Sequence, residues 1–91
     1  MDAPQSFWKL CLHFIQDLPD LYPTLDGMLE FVVGGLLPDE RRELAAFLDQ
    51  ILARPDASLH LARLWKQSQA DLSIGPESRL ADLFRQIRAR L

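Results

Sequence analysis

Between Pro38 and Pro55 the apolar positions Leu44, Phe47, Leu48, Ile51 and Leu52 recur at i, i+3, i+4, i+7 and i+8. That is the spacing of one helical face, and it predicts a helix from Pro38 to Ala53. Pro38 suits the first turn, where its missing N–H costs nothing. Asp39 and Glu40 stand at the positive end of the helix dipole and Arg54 at the negative end. Pro55 cannot continue the helix and ends it. A helix with one apolar face needs other helices to cover that face.

The rest of the chain supplies them. Residues Asp2 to Leu18 are expected to form a first helix with Phe7, Leu10, Cys11, Phe14, Ile15 and Leu18 on its apolar face, widened by Trp8 and Leu12. Ser6, Lys9, His13, Gln16 and Asp17 fall on the other side. Asp17 to Thr24 (DLPDLYPT) is expected as a turn-rich connector. Thr24 is a suitable cap for a second helix from Leu25 to about Val33, burying Leu25, Met28, Leu29, Val32 and Val33. The Gly34-Gly35 pair is expected to stop that helix, one glycine taking the left-handed conformation. A fourth helix, capped by Asp56 or Ser58 and running to about Ser68, would turn Leu59, Leu61, Ala62, Leu64 and Trp65 inward. The polar connector Ser68 to Gly75, with Leu72 and Ile74 as apolar plugs, leads to a last helix from Pro76, with Leu80, Leu83, Phe84, Ile87 and Leu91 on one face. No segment alternates with period two. The expected fold is all-α, a compact bundle of about five short helices without a sheet. Its core should hold Phe14, Leu44, Phe47, Leu48, Ile51, Trp65, Leu80, Phe84 and Ile87.

Composition places the chain among folded proteins. The hydrophobic fraction of 48% and charged fraction of 25% are ordinary for a globular chain, which excludes a disordered one. Ninety-one residues suit a single domain, 1–91. No apolar run approaches the roughly 18 residues of a membrane span, and MDAPQSFWK lacks the basic start of a secretory signal. A cytoplasmic protein away from the membrane is expected. The single cysteine, Cys11, cannot form an internal disulfide and falls in the apolar stripe as a core residue.

The net charge of −3 conceals an asymmetry: residues 1–40 carry seven acids against Lys9, whereas residues 41–91 carry nine Lys or Arg against six acids. An acidic first half argues against a nucleic-acid partner and for a basic protein. Helix-turn-helix geometry fares no better, because the helix after the Gly34-Gly35 joint begins with Asp39 and Glu40. Arg79, Arg85, Arg88 and Arg90 in the last helix read as dipole complement and solvated surface.

Catalytic chemistry has no visible seat. Cys11, His13 and His60 lack metal-ligand spacing, and His60 reads as an ordinary surface histidine. No serine occupies a nucleophile elbow, and no glycine-rich phosphate loop is present. A non-enzymatic chain without metal or cofactor is expected. The stretch that stands out is acidic: Asp17, Asp20, Asp26 and Glu30 lie within fourteen residues with Tyr22 among them. It is either a solvated connector whose acids cap a helix, the reading that composition favours, or a preorganised acidic surface with an aromatic anchor. On the second reading Gln16, Asp17, Asp20, Tyr22, Asp26 and Glu30 contact a basic partner protein.

His13-Phe14-Ile15-Gln16-Asp17, followed by the acidic Pro and Tyr loop and the Pro38-Asp39-Glu40-Arg41-Arg42 helix start, resembles the helical immunity proteins of bacterial contact-dependent growth inhibition systems. Phe14, Gln16 and Asp17 match that family's aromatic-Phe-His-Gln-Asp signature. Ile15 stands where the signature has histidine, and His13 occupies the aromatic position. The closing stretch Leu83 to Arg88 is also similar. The resemblance implies a non-enzymatic binder that neutralises a toxin domain, often a nuclease, by covering its active face. An acidic protein suits a groove built for phosphates. An expectation of another class is a small helical structural subunit that self-associates, a homodimer closing an apolar patch of Trp8, Leu12 and Leu36.

Overall fold

The computed structural model describes residues 3–14, 18–68 and 77–91. Six helices occupy them: α1 Gln5–Leu12, α2 Leu18–Leu21, α3 Leu25–Gly34, α4 Pro38–Leu52, α5 Ala57–Gln67 and α6 Glu77–Ala89. No strand occurs among the described residues. The all-α bundle is therefore as the apolar periodicity requires, with one short helix more than expected. Ile15, Gln16, Asp17, Leu72 and Ile74 lie outside the described residues.

The first helix is shorter than expected. It ends at Leu12, where the His13 N–H turns back to the Leu10 carbonyl and the Phe14 N–H to the Cys11 carbonyl, each at 3.1 Å. Phe14 and Leu18 are buried all the same, so they keep the helical spacing of the apolar residues without extending the helix. A buried residue every three or four positions constrains side-chain direction and leaves the path between open. Pro19 then suits the first turn of a new helix, and α2 forms inside the stretch expected as a connector.

Helix α3 begins as its sequence requires, with the Thr24 hydroxyl accepting from the Gly27 N–H at 3.1 Å. Its end corrects an expectation. Gly35 sits at φ −78° and no described glycine has positive φ. Glycine there leaves room for His13, since a Cβ on Gly35 would stand 3.1 Å from its Nε2, tighter than an ordinary contact. Arg41 closes the end instead, its guanidinium donating to the Val33 carbonyl at 3.2 Å and reaching the Leu36 carbonyl at 3.5 Å.

Helix α4 is the centre, packed against α1, α5 and α6. Leu44, Phe47, Leu48 and Ile51 are buried. Phe7 sits at the middle of an aromatic group: it stacks on Phe84 at 5.4 Å and meets Phe47 edge-on at 5.5 Å. Trp65 is only half-buried, and its edge contacts with Phe14 and Phe84 close the core rather than fill it. Three polar clips run from the first turns of α4. Glu40 accepts from the Leu37 N–H and from Lys9 Nζ, both at 2.8 Å. Glu43 accepts from the buried Ser6 hydroxyl at 2.7 Å and from the Ser6 N–H at 3.3 Å. Pro4 offers α1 no side-chain cap, so Glu43 supplies one from another helix. Arg41, described above, is the third.

Two further positions differ from expectation. Leu59 is exposed, because it lies about 160° around α5 from Leu61, which faces the core. Asp56 makes no side-chain cap bond; its carboxylate meets Arg54 at 3.1 Å and His60 at 3.0 Å, so His60 is half-buried in a pair.

Candidate partner-binding surface

Along α2 and α3 the chain sets acidic and aromatic side chains side by side. The helical repeat puts Asp26 and Glu30 in one row of α3 and Gly27 and Phe31 in the next. Leu29, Val32 and Val33 hold the opposite side in the core. Asp20 is exposed on α2, two residues before Tyr22. The Tyr22 ring lies over the Gly27 and Phe31 row, stacked on Phe31 with centroids 4.9 Å apart and planes 22° from parallel. A Cβ on Gly27 would stand 3.8 Å from the Tyr22 side chain and 3.1 Å from the capping Thr24 oxygen. The first is an ordinary contact; the second is tight, so glycine there leaves room for the capping oxygen. Phe31 in turn meets His13 edge-on at 5.7 Å. The His13 ring is fixed by Nδ1, 2.9 Å from the Lys9 carbonyl, which requires Nδ1 to carry the proton of that hydrogen bond.

Of the six residues expected at a binding surface, Asp20, Tyr22, Asp26 and Glu30 are described, and Gln16 and Asp17 lie outside the described residues. Tyr22 is half-buried against Phe31, so the anchor is an aromatic pair and not a lone ring. Phe31 was missed by sequence reasoning, though a signal existed: it falls outside the arc of Leu29, Val32 and Val33. It is 38% exposed, and Leu21 and Leu37 are each 63% exposed.

Charge at this face differs most from expectation. Arg90, just beyond α6, lays its guanidinium between the acids of α3. Its Nη2 is 2.5 Å from Asp26 and its Nε 3.4 Å from Glu30. Arg88 pairs through two bonds, 2.8 and 3.1 Å, with Asp49 of α4. These two arginines are thus tertiary links between the basic second half and acids elsewhere, not solvated surface. Asp26 and Glu30 keep side-chain exposures of 84% and 72% beneath Arg90. The acidic face is partly neutralised and still open to water.

Burial pushes the Cys11 thiol up to about 12, a hydrogen bond with Ser68 opposing only part of that rise. No three His, Cys, Asp or Glu side chains gather as a metal site among the described residues. An open cavity of about 450 Å³ beside Leu25 is lined by Arg79, Asp82, Leu83 and Gln86. Leu25, expected to be buried, is 41% exposed there. The apolar patch expected of a self-associating subunit is reduced: Leu36 is buried, Trp8 is half-buried on Phe7, and Leu12 alone of the three is exposed. Among the described residues, no helix is long and apolar enough to cross a membrane.

No protein-family profile, curated protein or solved structure matches the chain.

Proposed function

We propose that this chain is a non-enzymatic protein-binding domain that acts in the cytoplasm as the contact-dependent growth inhibition immunity proteins do, covering a basic toxin domain with its α2–α3 face. The observation that carries this reading is the exposed pair Asp26 and Glu30 on α3, beside the Tyr22–Phe31 stack, with Asp20 exposed on α2 two residues before Tyr22. Interface energy concentrates on aromatic anchors ringed by polar groups, and acids at that ring favour a basic partner. A nuclease domain is the fitting target class, since its groove is built for phosphates.

The test is capture of the tagged protein's partner from lysate of its own cells, at low and then moderate salt, with wild type and the Asp20→Lys/Asp26→Lys variant side by side. A basic protein held by wild type, released as salt rises and lost with the folded variant, is the expected result. A partner held equally by both proteins would overturn the proposed face.

Leu12, 50% exposed beside Trp8 on an open groove of about 290 Å³, favours a second reading, a self-associating structural subunit. Sedimentation at micromolar concentration separates the two, because a stable dimer lost on Leu12→Glu belongs only to the second.

A further inference from the structure

The contact between Arg90 and α3 crosses the face to which a basic partner is assigned above. We infer that Arg90 is an intramolecular competitor, occupying the seat on Asp26 and Glu30 that a partner's guanidinium takes on binding. This rests on the reading of the α2–α3 face as the binding surface.

Three observations carry it. First, the two acids stand four residues apart on one side of α3, and a single guanidinium already reaches both, 2.5 Å from Asp26 and 3.4 Å from Glu30. The seat therefore fits the chemistry proposed for the partner, with planar guanidinium favoured over the point charge of lysine. Second, the pairing is incomplete. Arg90 Nε is shielded from water and lies within ion-pair reach of Glu30 without the geometry of a hydrogen bond. Both carboxylates remain mostly exposed, so an incoming cation has access to them. Third, Arg90 follows Ala89, the last residue of α6. Its side chain can leave α3 without unwinding the helix that buries Leu80, Phe84 and Ile87. Its side-chain hydrogen bond from Nη1 to the Gln86 carbonyl, at 3.1 Å, stays within its own segment.

The same geometry sets the direction of the effect. Exchange of one guanidinium for another on the same two carboxylates leaves Arg90 in water, which lowers the partner's net gain. Removing the Arg90 charge frees the seat and tightens binding of a cationic ligand.

The experiment titrates folded protein with an acetylated, amidated hexa-arginine peptide at low salt, following fluorescence anisotropy. Arg90→Gln is expected to bind about two- to fivefold more tightly than wild type, the range of one ion pair at the protein surface. Arg63→Gln removes the same charge from an exposed site on α5 and controls for net charge. Adding Asp26→Asn and Glu30→Gln to Arg90→Gln is expected to abolish the gain. Equal tightening by Arg63→Gln and Arg90→Gln, or none by Arg90→Gln, would overturn the inference. Should Arg90→Gln melt early, Arg90→Lys serves in its place, with a smaller gain expected and no gain counting against competition. The two proposals fail separately: a partner captured equally by wild type and Arg90→Gln removes the competitor and leaves the surface. A gain toward the peptide with no partner captured leaves the competitor and removes the immunity reading.

Discussion

At the α1–α4 contact, polar groups that leave water meet partners from another helix: Ser6 finds Glu43, and Lys9 finds Glu40. Along α2 and α3 the opposite holds, with Asp20, Asp26, Glu30 and Phe31 all reaching water. The first region is closed by its own fold. The second presents side chains whose burial the fold does not require, and Arg90 covers them only in part. The difference separates residues that hold the bundle from residues that the bundle leaves at the surface, and it can be broken at either side.

The largest effect should come from the core. Phe84→Ala removes a fully buried ring stacked on Phe7 and is expected to cost about 3–5 kcal/mol, read by chemical denaturation. A loss under about 1 kcal/mol would contradict a rigid aromatic centre. Next comes the clip: Glu43→Ala takes the partner from a buried hydroxyl and the cap from α1, with an expected loss of about 1–2 kcal/mol. Phe31→Ser should sharpen the contrast. Its stability cost is expected to be near 1 kcal/mol, while partner affinity falls at least about tenfold if the face binds. A larger stability loss than that of Phe84→Ala would reverse the assignment of the two regions.

The smallest effects are those of pH. Lys9, then the Leu37 N–H, hold the Glu40 carboxyl below its ordinary range, and Arg88 does the same for Asp49. The unfolded chain takes up these protons near pH 4, the folded chain only at lower pH. The pairs therefore contribute fully above that range, and their contribution is lost as pH falls through the lowered values. Melting temperature should drop below about pH 4, less steeply in Glu40→Gln. Cys11 acts at the other end. Its thiol, ordinarily at 9.0, is raised to about 12, so the unfolded state ionises first and stability declines between those values as pH rises. At neutral pH, iodoacetamide should label Cys11 only after denaturation; ready labelling of the native protein would contradict its burial.

Helix α4 was legible almost to the residue, from Pro38 to one position short of Ala53, because its period, its prolines and its terminal charges agree. Thr24 likewise announced the start of α3. The early end of α1 was not legible, since Phe14 and Leu18 satisfy helical spacing whether or not the helix continues. Four of the six expected surface residues fall on α2, α3 or the turn between them, and Tyr22 could be identified as an aromatic there. Its stacking on Phe31 depends on how the turn folds back over Gly27, which spacing along the chain does not encode.

By itself, then, the sequence determined an all-α bundle, its central helix and most of its core, because apolar periodicity and capping act over a few residues at a time. Only the tertiary structure decided which charges are spent on holding helices together. Glu43 caps a helix that begins 38 residues earlier, and Arg90 reaches acids 64 and 60 residues away. Such pairs depend on where the helices cross. Packing of the apolar faces sets those crossings, and the charges then take the partners that geometry brings near.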